Sequence, residues 1–385
     1  MIYLDNNATT QPLTEVIEAM AEVQRDAYAN PSSVHQFGQA ARHRVELARE
    51  KVAHLIGATA KEIVFTGGGT ESINLAIRGL LRSSPRKRRF VTTTVEHSAV
   101  MCVADELADE GYEVDHVGVD REGRVNEAEW AEKVTEDTAL ASLQHANNET
   151  GVLMDVERMA SVAAQRGVPV HVDAVQTVGK IAVDVSKWPV QLVSVTAHKF
   201  HGPKGVGALY VRRRTRIEAM IVGGTQERRL RGGTENVAGI VGMGVAAEIA
   251  MRDEADIGRR VGELRDAFER GVLESVAFAH VNGRGAERIY NTSNIGFEGL
   301  QADAILILLS EAGVCASAGA ACSSGSLEPS HVLKAMGIDE RIAHGAIRFS
   351  LSRFNTAAEI DQVVGLLPGL LSRLTSLGGK GGGSF

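Results

Sequence analysis

The sequence predicts an α/β protein, with a mainly parallel sheet flanked by helices and a smaller α+β domain toward the C-terminal end. Three observations lead there. Between residues 62 and 211, short apolar, β-branched runs alternate with stretches of helical periodicity, the pattern that sets parallel strands beside crossover helices. Chemically capable residues fall at the carboxyl ends of those runs, where open parallel sheets gather their sites. After two long helical patterns, strands and helices follow in a looser order from residue 277 onward. We place a large domain at residues 13–255, a small domain at residues 1–12 and 256–376, and a flexible glycine-rich tail at 377–385.

In chain order, residues 13–28 and 34–56 carry apolar positions at helical spacing, divided by Ala29-Asn30-Pro31-Ser32-Ser33, a turn and helix-start signal. Residues 62–66 read as a strand, followed by Gly67-Gly68-Gly69-Thr70-Glu71-Ser72 and a helix over 73–81. Strands are expected at 89–94, 112–117, 139–143, 168–173, 193–196 and 205–211. The helices between them begin near Ser98, Glu127 and Val156. Residues 237–251 and 257–273 form the two long helical patterns. Strands near 277–281 and 292–296, a helix over 302–311 and a small-residue loop at 316–326 follow. Thr356-Ala357-Ala358-Glu359 is a capping box that opens the last helix.

Composition narrows the function classes. The chain has 385 residues, 44% hydrophobic and 23% charged, with a formal net charge of -7, values ordinary for a globular enzyme. That charge gives no electrostatic reason to expect nucleic acid or an anionic membrane, and Arg86-Lys87-Arg88-Arg89 and Arg212-Arg213-Arg214 read as solvated loops. No apolar run approaches the length of a membrane span, and the N-terminus lacks the pattern of a signal peptide. Cys102, Cys315 and Cys322 are odd in number and lack metal-ligand spacing. No metal site or disulfide framework is expected, and the reducing cytoplasm is the expected compartment.

The chemistry centres on Val193-Ser194-Val195-Thr196-Ala197-His198-Lys199. An apolar run leads into a polar turn, delivering Lys199 at a strand end. A lysine held near other cations or out of water supplies the free amine needed for a Schiff base; a solvated loop lysine is the plain alternative. Upstream, Val170-His171-Val172-Asp173 ends another strand in a carboxylate. A strand-end aspartate beside a strand-end lysine is what pyridoxal phosphate requires, the lysine bonding the aldehyde and the aspartate keeping the pyridine nitrogen protonated. The strand, glycine turn and helix start at Gly69 and Thr70 make an anion cradle from backbone N–H groups and the helix dipole. His97, Asn148 and Gln176 follow other strands, each fitting either a cofactor contact or a satisfied turn residue. Cys322 lies in a glycine-serine loop with almost nothing to bury, where a thiol can serve as a nucleophile.

Together these residues, with Leu4-Asp5-Asn6-Asn7-Ala8-Thr9-Thr10, Asn30-Pro31-Ser32-Ser33, Asn147-Asn148-Glu149, residues 231–236, and residues 322–332 with Arg348, resemble the cysteine desulfurases of NifS type, a branch of the class V aminotransferases among the fold-type I pyridoxal phosphate enzymes. The resemblance runs in register from residue 3 to about 365. It implies Lys199 as the Schiff-base lysine, Asp173 as partner of the pyridine nitrogen and His97 as the stacking group. It implies Gln176 and Asn148 near the ring hydroxyl, and Gly69, Thr70, Thr196 and His198 around the phosphate, with Thr234 reaching it from the second subunit of a homodimer. Arg348 would clamp the substrate carboxylate, with Asn30 at the same end. Two departures stand out: Ala321 where the family often has Ser, and Ile73 where it often has Asn or Asp.

The activity so implied converts L-cysteine to L-alanine with a persulfide left on Cys322, and passes the sulfur to an iron-sulfur scaffold protein, nitrogenase maturation being one destination. Three alternatives stay open at this level: β-elimination on selenocysteine or cysteine sulfinate, an ordinary aminotransferase, and a non-catalytic sulfur-carrier scaffold.

Overall fold

A computed structural model describes residues 1–319 and 329–378, with no side-chain detail at 377 and 378. Cys322, Ala321 and most of the glycine-serine loop lie outside the described residues, as does most of the expected tail.

Twelve strands are present among the described residues: β1 (Ile2–Tyr3), β2 (Ile63–Thr66), β3 (Arg89–Thr93), β4 (Glu113–Val117), β5 (Thr138–Gln144), β6 (Val170–Asp173), β7 (Leu192–Thr196), β8 (Gly207–Val211), β9 (Ala279–Val281), β10 (Thr292–Phe297), β11 (Val314–Cys315) and β12 (Ala346–Ser350). Seven of them form one sheet in the order β2-β8-β7-β6-β5-β3-β4. Its pairs are parallel from β7 through β4, while β8 runs antiparallel to both β7 and β2. Every residue of β5, β6 and β7 is buried, as expected where helices cover both faces of a parallel sheet. The carboxyl ends of β3, β5, β6 and β7 therefore open on one edge, and the site lies along it.

A second, antiparallel sheet has the order β12-β10-β9, and β1 pairs with β11. Its core is a separate apolar cluster that includes Val261, Phe268, Phe297, Phe349 and Leu367. The last helix, Ala357–Gly378, buries Ile360, Val363, Leu367 and Leu371 there. Their helical spacing makes one stripe, and each fully buried side chain contributes about 1.5–3 kcal/mol. Its start is capped as the sequence predicts: the Thr356 N–H donates to Glu359 at 3.0 Å and the Glu359 N–H to the Thr356 hydroxyl at 3.3 Å.

The two helical patterns at 237–251 and 257–273 prove to be one helix, Val237–Ser275, of 39 residues. Arg252-Asp253-Glu254-Ala255-Asp256 interrupts the apolar periodicity but holds no Gly or Pro to break the backbone. At about 1.5 Å per residue the helix spans roughly 58 Å, packing Met243 and Ala247 on the first core and Val261 and Phe268 on the second. No described helix is long and apolar enough to cross a membrane.

The N-terminal strand and the residues after it tie the two sheets together. Ile2 pairs with Val314, the Asn6 N–H donates to the Ser350 carbonyl at 3.1 Å, and the Thr10 N–H donates to the His198 carbonyl at 2.9 Å. Asn7 and Ala8 are thereby laid against the turn that carries Lys199.

Candidate active site

Buried strand β7 ends in a single 3-10 turn, Ala197–Lys199. The Gly202 N–H closes back on the Ala197 carbonyl at 2.9 Å, and a Cβ at Gly202 would stand 2.7 Å from the Ala197 side chain, so the return needs glycine there. The Lys199 amine is delivered half-buried and donates to the backbone carbonyls of Ala8, at 2.9 Å, and Asn7.

Asp173 ends the neighbouring strand β6, 7% exposed, and its carboxylate accepts from the Val175 N–H at 2.9 Å. Burial pushes its pKa up, against the pull of His97, that N–H and Lys199. His97 follows β3 and caps the helix Ser98–Asp109: its Nδ1 accepts from the Ala99 N–H at 3.1 Å, which assigns the ring proton to Nε2. Burial lowers its pKa; Asp173 opposes that, while Lys199, His331 and Arg348 reinforce it. The His198 Nδ1 meets the Thr9 hydroxyl at 3.2 Å, and burial with the Lys199, Lys204 and Lys180 charges lowers the pKa of its imidazole to about 4.

One cavity of about 200 Å³ collects these groups. Its lining includes Gly69, Thr70, His97, Asn148, Asp173, Gln176, Thr196, His198 and Lys199, together with Ile73. At one end, β2 turns through Gly68, with φ 154°, into the helix Gly69–Ser83, and a Cβ on Gly69 would press on Val175 at 3.0 Å. On the other side of this turn, a Cβ at Gly207 would stand 2.8 Å from the Gly68 backbone. This end thus offers the N–H groups of a helix start and hydroxyls, which suits an anionic group. With a cation-flanked amine and a buried carboxylate at the other side, the residues fit pyridoxal phosphate: Lys199 for the aldehyde, Asp173 for the ring nitrogen, and Thr70, Thr196 and His198 for the phosphate.

Arg348 comes from the small sheet. It lies 3% exposed on β12, with Nη1 donating to the Asn148 carbonyl at 3.0 Å and Nη2 to Asp5 at 2.9 Å. Its Nε finds no acceptor among the described residues, a buried cationic donor left over for a ligand. Asn30 and Thr234 are not brought to this cavity by their own chain. Asn30 is exposed and caps its turn, accepting from the Ser32 N–H at 2.9 Å, and Thr234 is exposed on the long loop before helix Val237–Ser275.

Three groups at the site were given no role by the sequence. Asn7, 2% exposed, is a hub: its carbonyl accepts from Lys199 and from Gln176, and its side chain bonds Thr292, Asn291, Lys180 and the Asn148 carbonyl. Lys180 is buried behind Lys199; its spacing of four from Gln176 is the signal that could have marked it. Glu96, beside His97 in the sequence, is fully buried, and its Oε2 has no partner among the described residues.

Comparison with known proteins places this geometry. The Aminotransferase class-V family profile matches residues 2–363, so the chain belongs to that family of pyridoxal phosphate enzymes. Within it, cysteine desulfurase 2 of Trichormus variabilis is 47% identical over 377 residues, covering 98% of this chain and 94% of the relative. Cysteine desulfurase NifS of Azotobacter vinelandii is 45% identical with the same coverage. A solved structure described as a NifS-like protein superimposes with a TM-score of 0.91 at 40% identity, over 97% of this chain and 100% of the other. The chain is a member of the cysteine desulfurase branch, of NifS type.

Proposed function

We propose that the protein is a pyridoxal-phosphate-dependent cysteine desulfurase that takes sulfur from L-cysteine, leaving L-alanine and a persulfide on Cys322. The observation that carries the site assignment is the convergence of Lys199, Asp173 and His97 on one cavity that ends in the Gly68–Thr70 cradle. When bound, the cofactor supplies an aldehyde for amines and a sink for the electrons of a substrate carbanion.

The chain's own residues do the rest. Arg348 binds the substrate carboxylate through its bidentate fork, and Asn148 links that cation to the cavity through its backbone carbonyl. Asp173 would hold the ring nitrogen's proton, and His97, fixed by the Ala99 N–H, would stack on the ring. Gln176 and Asn148 would hold the ring hydroxyl side. Lys199 takes the α-proton of the bound amino acid as general base and returns a proton to release product. The Cys322 thiolate attacks the substrate sulfur: an S–S bond forms, the C–S bond breaks with its electrons left on the carbon side, and a proton there completes alanine.

The separate apolar cluster around Phe268, Phe297 and Phe349 supports a small domain at 1–12 and 256–376 beside a large one at 13–255, with Val332, Leu333, Met336, Ala343 and Ala346 packing across into the large domain's main core. A cytoplasmic homodimer completes the reading. Thr234, exposed in its own subunit, then reaches the other subunit's phosphate end, and exposed Tyr28, Val34, Phe37 and Val222 supply apolar surface of the kind an interface covers. The sulfur goes on to an iron-sulfur scaffold protein. Loaded with pyridoxal phosphate and given L-cysteine and a thiol reductant, the protein is expected to release alanine and sulfide in equal amounts. A loaded, yellow protein that forms neither would refute the activity.

A further inference from the structure

Lys180 is 6% exposed, and it donates to neutral amides: the Gln176 Oε1 at 3.1 Å and the Asn7 Oδ1 at 3.3 Å. A buried ammonium without a carboxylate is costly, and a purely structural filler of this space would carry no charge. The surrounding charges do not compensate it. Lys199, His201, Tyr290, Arg353, Asp253 and Glu254 line a small cavity of about 30 Å³ with it. Asp253 is taken by Arg353 and Arg252, Glu254 accepts from the Ala182 backbone, and Asp5 is held by Arg348. Burial, Lys199 and Arg348 accordingly lower the Lys180 amine to about 7.

The two amides that Lys180 holds both lead to the reaction centre. By donating to Oε1 of Gln176 it turns the Nε2 toward the Asn7 carbonyl, 3.2 Å away. By donating to Oδ1 of Asn7, beside the 3.0 Å bond from Asn291, it fixes the residue whose carbonyl receives the Lys199 amine. The Asn7 Nδ2 in turn reaches the Asn148 carbonyl at 3.2 Å, the same oxygen that Arg348 engages.

We propose that Lys180 is a positioning residue for the desulfurase reaction: acting through Asn7 and Gln176 it sets the place of the Lys199 amine, and it stands as a second amine behind it. The proposal rests on the cofactor reading above. It deepens that reading, because a second buried cation behind a reactive lysine is one way to keep the reactive amine unprotonated.

The test uses holoenzyme loaded with pyridoxal phosphate, in the parent, Lys180→Met and Lys180→Gln forms. Two quantities are measured: the pH midpoint of the visible absorbance band, and kcat and KM for L-cysteine. In Lys180→Met the midpoint is expected to move up by roughly one pH unit, the effect of removing one nearby like charge. The kcat should fall roughly tenfold through misplacement of the amine, with KM within about twofold because the Arg348 contacts remain. Lys180→Gln keeps an amide donor, so it should regain part of kcat while its midpoint stays shifted. A purely structural lysine would lower the melting temperature and leave the midpoint in place; an unshifted midpoint with parental kcat overturns the proposal. If the Met variant fails to fold, the midpoint of the Gln variant decides by the same criterion. A parent protein that shows no visible band after loading would refute the cofactor reading itself, which separates the two failures.

Discussion

Glu96 shows how much a single buried carboxyl can say about pH. Burial raises it to about 8, with Asp173 pushing the same way, against hydrogen bonds from the Thr93 hydroxyl at 2.7 Å and the Gln144 N–H at 3.0 Å. Its folded pKa lies above its unfolded one, so between the ordinary carboxylate value and about 8 the folded protein binds a proton that the unfolded chain has lost. Stability from this group is complete at low pH and is lost as pH rises through that window. In cofactor-free protein, the melting temperature of the parent should decline from pH 5 to pH 8 relative to Glu96→Gln; parallel profiles would show that Glu96 is not protonated in the fold. Arg348 gives a second residue-scale prediction. Arg348→Lys keeps the charge but loses the planar fork, so kcat/KM for L-cysteine should fall roughly 10- to 100-fold, about 1.5–3 kcal/mol of charge-assisted hydrogen bonding, while the visible spectrum of the loaded enzyme stays as in the parent. An unchanged kcat/KM would remove Arg348 from the carboxylate site. The places of Lys199, Asp173 and His97 on one cavity were legible because strand ends are local in sequence. Asn7 and Lys180 were not, since their importance comes from meeting groups up to 285 positions away, as in the Asn7–Thr292 bond.

At the scale of elements, the βα alternation fixed most strands within two residues, because a buried strand writes its length in consecutive apolar residues. The pairs of β1 with β11 and β10 with β12 were less legible. Each joins segments far apart in the chain, Ile2 with Val314 and Thr292 with Ser350, and β1 and β11 are two residues each, too short for a periodicity. The antiparallel course of β8 also left no mark, since periodicity carries no direction. That strand gives an element-scale prediction. A Cβ at Gly207 would meet the Val195 carbonyl at 2.7 Å and the Gly68 backbone at 2.8 Å, neither of which can turn aside. Gly207→Ala should therefore cost about 1–3 kcal/mol in urea unfolding and weaken cofactor binding, because Gly68 opens the phosphate cradle. Parental cofactor affinity in a folded Gly207→Ala protein would dissociate that turn from the phosphate.

For the whole molecule, one helix packs on both the large-domain and the small-domain core, and the polar loop before it leaves Thr234 exposed. That loop is anchored, not loose: Arg49 and Glu227, both buried, form two 2.7 Å hydrogen bonds, and Glu227 also accepts from the Phe65 N–H at 2.8 Å. Glu227, Arg228 and Arg229 all adopt positive φ to make the bend. Five residues beyond that bend Thr234 is exposed, where a residue proposed to serve a second subunit's site has to be. Co-expressed Lys199→Ala and Thr234→Ala subunits are expected to form mixed dimers in which one site carries both defects and the other neither. Activity should then exceed that of either variant alone; no such recovery would mean that Thr234 serves its own subunit or none.

The most direct test of desulfurase chemistry is the intact mass of the yellow, pyridoxal-phosphate-loaded protein before and after L-cysteine without reductant, with alanine assayed in the same sample. The account predicts one added sulfur atom per chain, mapped to Cys322, together with one alanine, and neither in Cys322→Ala. Alanine formed at the parental rate by Cys322→Ala, or alanine without added sulfur in the parent, would contradict it.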